Sequence, residues 1–413
     1  MQLSFTGPQS FYNGISAVQE ALSREVRKVV NEPQPGINVP FNKPYLTGNE
    51  HKYIKRVLSS GKLSGNNEFT RKCEEYFKVH YGAKECFLTS SCTDALEMSA
   101  VLLDIQDGDE VIVPSYTFVS TAIAFLMRGA KVIFADSRED HPGIDESKLE
   151  SLITDKTKAI VVVHYGGVAC DMDMVMDIAE KHGVYVVEDA AQAIDGYYKE
   201  RPLGTIGHMA TFSFHETKNI ISGEGGMLVV NDDRFIDRAE IIREKGTDRT
   251  KFLRGEINKY GWVDIGSSYL PSDYTAAFLY AQLEQLPLIQ ENRLNIWQRY
   301  HNELQELEAL GHVMLPAVPE YAKHNAHIFY LVLPDLQQRE ALRNYLKSEG
   351  VSAVFHYNPL HSSKYYKQKH DGRELVNCDK YDDCLLRLPM YAGMSLGEQK
   401  TVINKIWRFF LEK

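Results

Sequence analysis

The chain has 413 residues, of which 44% are hydrophobic and 25% are charged, and this composition excludes a mainly disordered or fibrous protein. Asp and Glu outnumber Lys and Arg by 56 to 46, giving a formal net charge of -10. This charge argues against a nucleic-acid partner, because the phosphate backbone attracts clustered positive charge.

The cysteines and the N-terminal sequence favour a cytoplasmic protein. Six cysteines occur without a C-x-x-C pair, which is typical of reduced thiols rather than of a disulfide framework. The first residues lack the basic and apolar segments of a signal peptide. The most apolar stretch, from Phe118 to Met127, is too short to span a bilayer. We therefore expect no membrane partner.

Three parts of the chain differ in pattern. Residues 1–38 contain apolar residues at helical spacing, which predicts a docking helix without chemistry of its own. Residues 39–290 alternate short β-branched runs with amphipathic stretches, and the length suits one large domain. Residues 291–413 are predicted to form a second, smaller domain.

The large domain is predicted to be an α/β unit. Continuous apolar runs separated by helical segments indicate a mostly parallel sheet that is buried on both faces. Seven such runs are present, at 85–89, 110–114, 131–135, 159–165, 184–189, 209–215 and 226–232.

The C-terminal part is predicted to be a small α+β domain. A long linking helix is expected over 294–310, followed by strands over 327–333 and 351–357 with a helix between them. A last helix begins with the capping box formed by Ser395 and Glu398.

Polar residues follow several of the predicted strands, at the sheet edge where parallel α/β folds bind ligands. Asp189 ends one apolar run, and a carboxylate buried there requires a positive partner. Lys218 follows another run before a glycine-rich stretch, and a shielded lysine amine can attack a carbonyl group. A helix that opens at Ser91 to Thr93 could bind phosphate. Each feature alone is also compatible with a surface turn, a solvated lysine or a plain helix cap.

Other cofactor classes find less support. No G-x-G-x-x-G follows a strand and no P-loop motif occurs, which excludes the usual nicotinamide and P-loop sites. His356 and His361 have no evident third ligand, so we expect no metal. An amine, an acid and a phosphate-binding helix on successive strand ends together match pyridoxal 5'-phosphate.

The motifs EDAAQ (188–192), FSFHETKN (212–219) and GEGG (223–226) resemble those of the DegT class of pyridoxal-phosphate-dependent nucleotide-sugar aminotransferases. Further strings, among them PSYTFVSTA (114–122) and AVFHYNPLH (353–361), are similar to the dTDP-4-amino-4,6-dideoxygalactose transaminase subfamily. The resemblance implies the type I aminotransferase fold, with a seven-stranded large domain and a small C-terminal domain. It also implies a homodimer with active sites at the subunit interface.

The resemblance assigns roles residue by residue. Lys218 matches the lysine that binds the cofactor covalently, and Asp189 matches the acid at its pyridine nitrogen. Gln192 matches the residue near the phenolic oxygen, Phe118 the stacked ring and His164 an active-site histidine. The phosphate ligands that it implies are Cys92, Thr93 and Ser213, with Ser268 reaching the partner's cofactor in place of the asparagine that many members have.

The subfamily likeness implies transfer of an amino group from L-glutamate to dTDP-4-dehydro-6-deoxy-D-glucose, for a bacterial surface polysaccharide. The diphosphate of such a substrate requires a wide cleft with nearby cations, and the small domain supplies further candidates. The substrate-binding candidates are Lys62, Arg249, Lys251, Arg254, His327, His356 and Tyr357. A different C3 or C4 ketosugar, the gluco product, a GDP or UDP nucleotide, a lyase and a regulator that only binds the cofactor remain open alternatives.

Overall fold

The computed structural model describes residues 38–411. The helix predicted within residues 1–38 lies outside the described residues, apart from Asn38 at the boundary. No helix within 38–411 is both long enough and apolar enough to cross a membrane.

Seven strands form the central sheet, and all seven coincide with apolar runs predicted from the sequence. The sheet has the order β1-β9-β8-β5-β4-β2-β3, in which only β9 runs antiparallel to its neighbours. The prediction of a mostly parallel seven-stranded sheet is confirmed. The strands of the described residues are β1 (Glu85–Thr89), β2 (Glu110–Pro114), β3 (Lys131–Ala135), β4 (Thr157–Val163), β5 (Tyr185–Asp189), β6 (Tyr197–Tyr198), β7 (Arg201–Pro202), β8 (Met209–Ser213), β9 (Gly226–Val230), β10 (Ala322–Lys323), β11 (Tyr330–Val332) and β12 (Leu385–Arg387).

Both faces of this sheet are buried, which explains why its strands read as unbroken apolar runs. In β5, Val186 packs into one hydrophobic core and Val187 into another on the opposite face. Helices cover both sides. The α-helices are α1 (Glu50–Ser60), α2 (Glu68–Tyr81), α3 (Cys92–Leu102), α4 (Ser120–Leu126), α5 (Met172–His182), α6 (Ile236–Arg243), α7 (Arg249–Leu253), α8 (Asp273–Leu283), α9 (Leu286–Ala309), α10 (Leu336–Ser348), α11 (Val376–Cys384) and α12 (Leu396–Leu411).

The C-terminal part has a third hydrophobic core, built from α9, α10, α12 and the short β11–β12 pair. The predicted capping box is present, since Ser395 N–H donates to Glu398 at 2.7 Å and Glu398 N–H donates to Ser395 Oγ at 3.2 Å. The domain boundary near residue 290 stays a prediction.

The strand predicted over 351–357 is wrong. This segment forms only single bridges, from Val351 to Val39 and from Val354 to Arg387. The partner of β11 is instead β12, which lies much later in the chain and pairs with it antiparallel. The apolar residues at 351–357 pack beside this pair without extending it into a third strand.

Candidate active site

A cavity of about 390 Å³ opens at the carboxyl ends of β4, β5 and β8. One wall comes from these strand ends and from the start of α3, and the opposite wall comes from the C-terminal part of the chain. This is the sheet edge at which open α/β folds bind ligands. The residues used below that line it are Phe41, Ser91, Cys92, Thr93, Phe118, Thr121, Asp189, Gln192, Ser213, Lys218, His327, His356, Tyr357 and Arg387.

Asp189 supplies the negative charge of the cavity. It is the last residue of β5 and only 5% exposed. The Thr121 hydroxyl donates to one carboxylate oxygen at 2.8 Å and the Ala191 N–H donates to the other at 3.1 Å. Burial nevertheless raises the pKa of Asp189, because these donors and the charge of Lys218 only partly offset desolvation. Such a carboxylate is suited to a cationic ligand group.

Lys218 lies in the loop that joins β8 to β9. Backbone hydrogen bonds close this loop, from Phe214 N–H to Gly225 O at 2.9 Å and from Glu216 N–H to Gly223 O at 3.0 Å. Burial lowers the pKa of Lys218 and the charge of Arg387 acts in the same direction. A lowered pKa increases the fraction of neutral amine, which is the nucleophilic form.

The start of α3 lines the cavity with Ser91, Cys92 and Thr93. Ser91 caps this helix by accepting from Asp94 N–H at 3.0 Å, and Thr93 Oγ1 lies 2.8 Å from Ser120 Oγ. Burial raises the pKa of the Cys92 thiol, so Cys92 is suited to contribute its backbone N–H rather than a thiolate. Gly226 lies against this turn, and a Cβ there would overlap the backbone of Ser91 and Cys92.

Gln192 and Tyr357 join the two walls. Gln192 accepts from Gly166 N–H at 2.7 Å and donates through Nε2 to the Tyr357 hydroxyl at 3.1 Å. The ring of Phe118 lies 6.1 Å from that of Tyr357, centroid to centroid, and Phe118 is 56% exposed. The sequence-based assignment of Phe118, Gln192 and Tyr357 to one site is therefore compatible with their positions.

The two C-terminal histidines also line the cavity. His327 Nδ1 is 2.8 Å from Asn219 Oδ1, and the His356 carbonyl accepts from the hydroxyls of Tyr165, at 3.0 Å, and Tyr116. Burial lowers the pKa of both histidines well below its usual value. Both are therefore neutral at physiological pH and can exchange hydrogen bonds with a polar ligand.

His164 requires a correction, because it does not line the cavity. Its side chain is fully buried, and its Nε2 lies 2.9 Å from Glu188 Oε2 on the other face of β5. Glu188 also accepts backbone N–H groups of Gly204, Ile206 and Gly207, at 2.6 to 2.8 Å. Alternation along the strand separates this structural cluster from Asp189. His164 therefore contacts Glu188 rather than the cavity.

Five further sequence-based candidates lie outside the cavity within this chain. Lys251 pairs with Asp237 at 3.1 Å, Arg254 pairs with Glu240 and Glu256, and Arg249 approaches Glu244 at 3.5 Å. The fold therefore supplies Arg249, Lys251 and Arg254 each with a nearby acid. The candidates outside the cavity are Lys62, Arg249, Lys251, Arg254 and the exposed Ser268.

Arg387 is a cavity residue that the sequence analysis missed. It ends β12, and its guanidinium carbon lies 4.7 Å from the ring centroid of Phe41. Its Nε is buried without a hydrogen-bond partner. The available signal was a single arginine inside the apolar run LLRLP (385–389). A charge in such a run requires a specific counterpart.

Within residues 38–411, no group of three or more His, Cys, Asp or Glu side chains could hold a metal ion. His361, the weak zinc candidate, lies apart from the cavity. Its Nδ1 is 2.8 Å from Ser115 Oγ and its Nε2 is 3.4 Å from Asp379.

Residues 44–407 match the sequence profile of the DegT/DnrJ/EryC1/StrS aminotransferase family. The chain belongs to this family. It is 33% identical over 377 residues to the spore coat polysaccharide biosynthesis protein SpsC of Bacillus subtilis, a match that covers 89% of this chain and 96% of SpsC.

Solved structures agree with this DegT-family assignment. The aminotransferase TlmJ of Streptoalloteichus hindustanus superposes with a TM-score of 0.84 at 28% identity, covering 91% of this chain and 99% of TlmJ. Spr1654 of Streptococcus pneumoniae, at 25% identity, superposes in its PMP-form and PLP-form with TM-scores of 0.83 and 0.82, covering 91% of this chain and 99% and 100% of Spr1654. The protein is a pyridoxal-phosphate-dependent sugar aminotransferase.

The residues of this aminotransferase fit the cofactor. The buried carboxylate of Asp189 suits a protonated pyridine nitrogen, the start of α3 suits the phosphate, and the Lys218 amine suits the aldehyde. When bound, pyridoxal phosphate supplies an electron sink that stabilises negative charge on the carbon next to the transferred nitrogen.

Proposed function

We propose that this aminotransferase converts dTDP-4-dehydro-6-deoxy-D-glucose and L-glutamate into dTDP-4-amino-4,6-dideoxy-D-galactose and 2-oxoglutarate. The reaction takes place in the cytoplasm of a bacterium and serves a surface polysaccharide. Amino transfer rests on one observation above all: Lys218, whose pKa is lowered by burial, and the buried Asp189 line a single cavity. The choice of substrates rests on the subfamily motifs, and the polysaccharide name of SpsC supports the pathway.

Lys218 acts as the proton carrier in this proposal. Its neutral amine removes the α-proton of glutamate in the first half of the reaction and delivers a proton to sugar C4 in the second half. Asp189 holds a proton on the pyridine nitrogen, because a nearby carboxylate favours the charged form of its partner. Gln192 and Tyr357, whose side chains are hydrogen-bonded at 3.1 Å, would orient the ring substituents of the bound cofactor.

The proposed enzyme is a homodimer with its active sites at the interface. Exposed apolar side chains lie at both ends of α4, with Phe118 56% and Val119 51% exposed before it and Met127 69% exposed after it. Ser268 lies outside the cavity of its own chain and is exposed, so it is available to the cofactor site of a second copy. This arrangement supports a shared site.

The test follows the visible absorption band of the cofactor-loaded protein while L-glutamate is added and 2-oxoglutarate is measured. We expect the band to disappear with stoichiometric 2-oxoglutarate, and to return on addition of dTDP-4-dehydro-6-deoxy-D-glucose. NMR of the product should show the galacto configuration at C4. Lys218→Ala should keep the melting profile of the unloaded protein and lose turnover, so full activity in this variant would refute the assignment.

Other outcomes identify the alternatives. A stable band in the presence of glutamate would favour a different donor or a lyase. If the band returned only with GDP- or UDP-linked ketosugars, the substrate would carry that nucleotide instead of dTDP. A product with the gluco configuration would show that the proposed galacto stereochemistry at C4 is wrong. Loading with no reaction on any amino donor would favour a regulator.

A further inference from the structure

Asn219 follows Lys218 in the chain and connects three segments through one side chain. It is 5% exposed, and its Nδ2 donates to Gln290 Oε1 at 2.8 Å and to the Asn325 carbonyl at 2.9 Å. A backbone carbonyl can only accept, so the amide atom that faces Asn325 must be the nitrogen. Both hydrogens of this nitrogen are then used, and Oδ1 is the atom that lies 2.8 Å from Nδ1 of His327.

This contact fixes which nitrogen of the His327 ring carries a hydrogen. An amide oxygen has lone pairs and no hydrogen, so Nδ1 must be the donor. The ring is neutral, because burial holds the pKa of His327 well below its usual value and nearby cations act in the same direction. A neutral imidazole carries one hydrogen, and Nε2 therefore keeps a lone pair. Since His327 lines the cavity, the chain offers a hydrogen-bond acceptor there.

The backbone at His327 is held by contacts that do not involve its ring. Arg293 of α9 donates through Nη2 to the His327 carbonyl. The side chain of the nearby Asn325 donates to the carbonyl of Gln192 at 2.8 Å. Loss of the Asn219 side chain would therefore release the ring hydrogen from its acceptor and leave these backbone contacts in place.

We propose that Asn219 is a positioning residue, which keeps the ring hydrogen of His327 on Nδ1 so that Nε2 accepts a hydrogen bond from a hydroxyl group of the ketosugar. This inference rests on the proposed function, since it requires a sugar in the cavity. The hydroxyl groups of a sugar can donate, whereas the carboxylates of glutamate only accept. An acceptor at Nε2 therefore favours the sugar and offers nothing to the carboxylates of the amino donor.

The opposite tautomer of His327 would serve different groups. With its hydrogen on Nε2, the ring would donate to a carboxylate, a phosphate or the ketone oxygen of the sugar. Asn219 opposes this arrangement, because Oδ1 and a bare Nδ1 would then face each other with lone pairs at 2.8 Å. Two buried acceptors without a hydrogen between them cost free energy. Removal of Asn219 should therefore let the hydrogen occupy either ring nitrogen.

The test compares the cofactor-loaded wild type with Asn219→Leu, His327→Phe, the variant that combines both changes, and the control Gln290→Met. Leucine keeps the approximate shape of asparagine and has no polar side-chain atom. Gln290→Met removes one acceptor of the Asn219 nitrogen and leaves the Asn219 oxygen on His327.

Two measurements are made on these proteins. Solid-state nitrogen NMR of histidine-labelled protein reports which ring nitrogen carries the hydrogen, and the His327 signals are identified by their loss in His327→Phe. Stopped-flow absorbance gives the half-saturation concentrations for L-glutamate and for the sugar nucleotide in the two halves of the reaction.

In the wild type we expect the His327 hydrogen on Nδ1, and in Asn219→Leu both tautomers should appear. The half-saturation concentration for the sugar nucleotide should rise at least about fivefold in Asn219→Leu, as for one lost hydrogen bond, and that for glutamate less than about twofold. In the His327→Phe background, Asn219→Leu should have no further effect, because the asparagine acts through the histidine. Gln290→Met should match the wild type in both measurements.

Sugar nucleotides that lack the hydroxyl group at C2 or at C3 test the acceptor directly. For one of the two, the half-saturation concentration of the wild type should be at least about fivefold higher than for the complete sugar. This difference should vanish in His327→Phe, which has no ring nitrogen.

Several results would overturn the inference while leaving the proposed function intact. These are a wild-type His327 with its hydrogen on Nε2, unchanged sugar saturation in Asn219→Leu, equal effects of this variant on glutamate and sugar, or effects of the two substitutions that add in full. A wild type that accepts glutamate and aminates no ketosugar nucleotide would instead refute the proposed function and this inference with it. If Asn219→Leu fails to fold, as shown by its melting profile, the wild-type NMR spectrum and the deoxy sugar nucleotides decide.

Discussion

Replacing Asp189 with Asn should have opposite effects on the unloaded and the cofactor-loaded protein. It should leave the melting temperature of the unloaded protein unchanged or higher, and it should lower the cofactor affinity and turnover of the loaded protein. The substitution keeps the shape of the side chain and removes its charge. The amide oxygen can still accept from Ala191 N–H, and the amide N–H₂ can donate to Thr121 Oγ1, which also lies 2.9 Å from Thr117 Oγ1. The hydrogen-bond network at the end of β5 is therefore retained.

In the unloaded protein the negative charge of Asp189 destabilises the folded state. Its folded-state pKa is raised by burial, so the folded chain keeps this proton to a higher pH than the unfolded chain. The group thus contributes stability below the pKa of an unfolded aspartate, and this contribution is lost as the pH rises through the folded-state pKa. At neutral pH we expect Asp189→Asn to melt at the same temperature as the unloaded wild type or higher, with the difference shrinking in acid.

In the loaded protein the same carboxylate faces a protonated ring nitrogen. Removing one partner of a buried ion pair costs roughly 3–5 kcal/mol. At about 1.4 kcal/mol per factor of ten, this corresponds to a loss of about a hundred- to several-thousand-fold, divided between cofactor affinity and turnover.

Scanning calorimetry of both proteins with and without cofactor, from pH 4.5 to 8, measures the two effects together. Thr117→Val is a control that removes a neighbouring hydroxyl and keeps the carboxylate. A large loss of stability in unloaded Asp189→Asn would refute the claim that burial opposes this charge. A loaded Asp189→Asn with wild-type affinity and rate would show that the ring nitrogen has another partner.

Two further predictions concern the buried hydrogen bonds of Glu188 and the oligomeric state. Glu188→Ala should lower the free energy of unfolding by at least about 3 kcal/mol, because His164 and three backbone N–H groups lose their acceptor. Glu188→Gln should lower it less, because the amide oxygen can still accept. Equal urea midpoints for the two variants would contradict this role of Glu188 as an acceptor. Light scattering of the loaded protein should give twice the chain mass, and mixed dimers of Lys218→Ala and Ser268→Ala chains should recover activity above either parent; a monomeric active enzyme would disprove the shared site.

The central sheet could be predicted because burial on both faces leaves its mark on every residue of a strand. Runs such as 110–114 and 131–135 coincide with strands of the same bounds. The strands of the C-terminal part are harder to predict. A segment such as 351–357 has strand-like composition, but whether it pairs depends on partners far along the chain. Apolar patterning reports burial and does not report which segment pairs with which.

The residues of the candidate active site were likewise only partly predictable from the sequence. Asp189 and Lys218 could be found because Asp189 ends an apolar strand and Lys218 lies shortly after another, at the sheet edge that binds ligands. Arg387 could not, because nothing in its sequence distance from β5 places it opposite Lys218. Lys251 and Arg254 pair with Asp237 and Glu240 of α6, and their assignment to the substrate stays a prediction.

The contact between Gly226 and the first turn of α3 links two segments that are more than a hundred residues apart in the sequence. Any side chain at Gly226 would displace the backbone of Ser91 and Cys92, and with it the N–H groups that we propose bind the cofactor phosphate. In a directed-evolution library, variation at 91–93 and at 226 would therefore be strongly epistatic. Designs that randomise the helix start to change cofactor affinity should keep the glycine fixed, because its missing Cβ sets how closely the two backbones can approach.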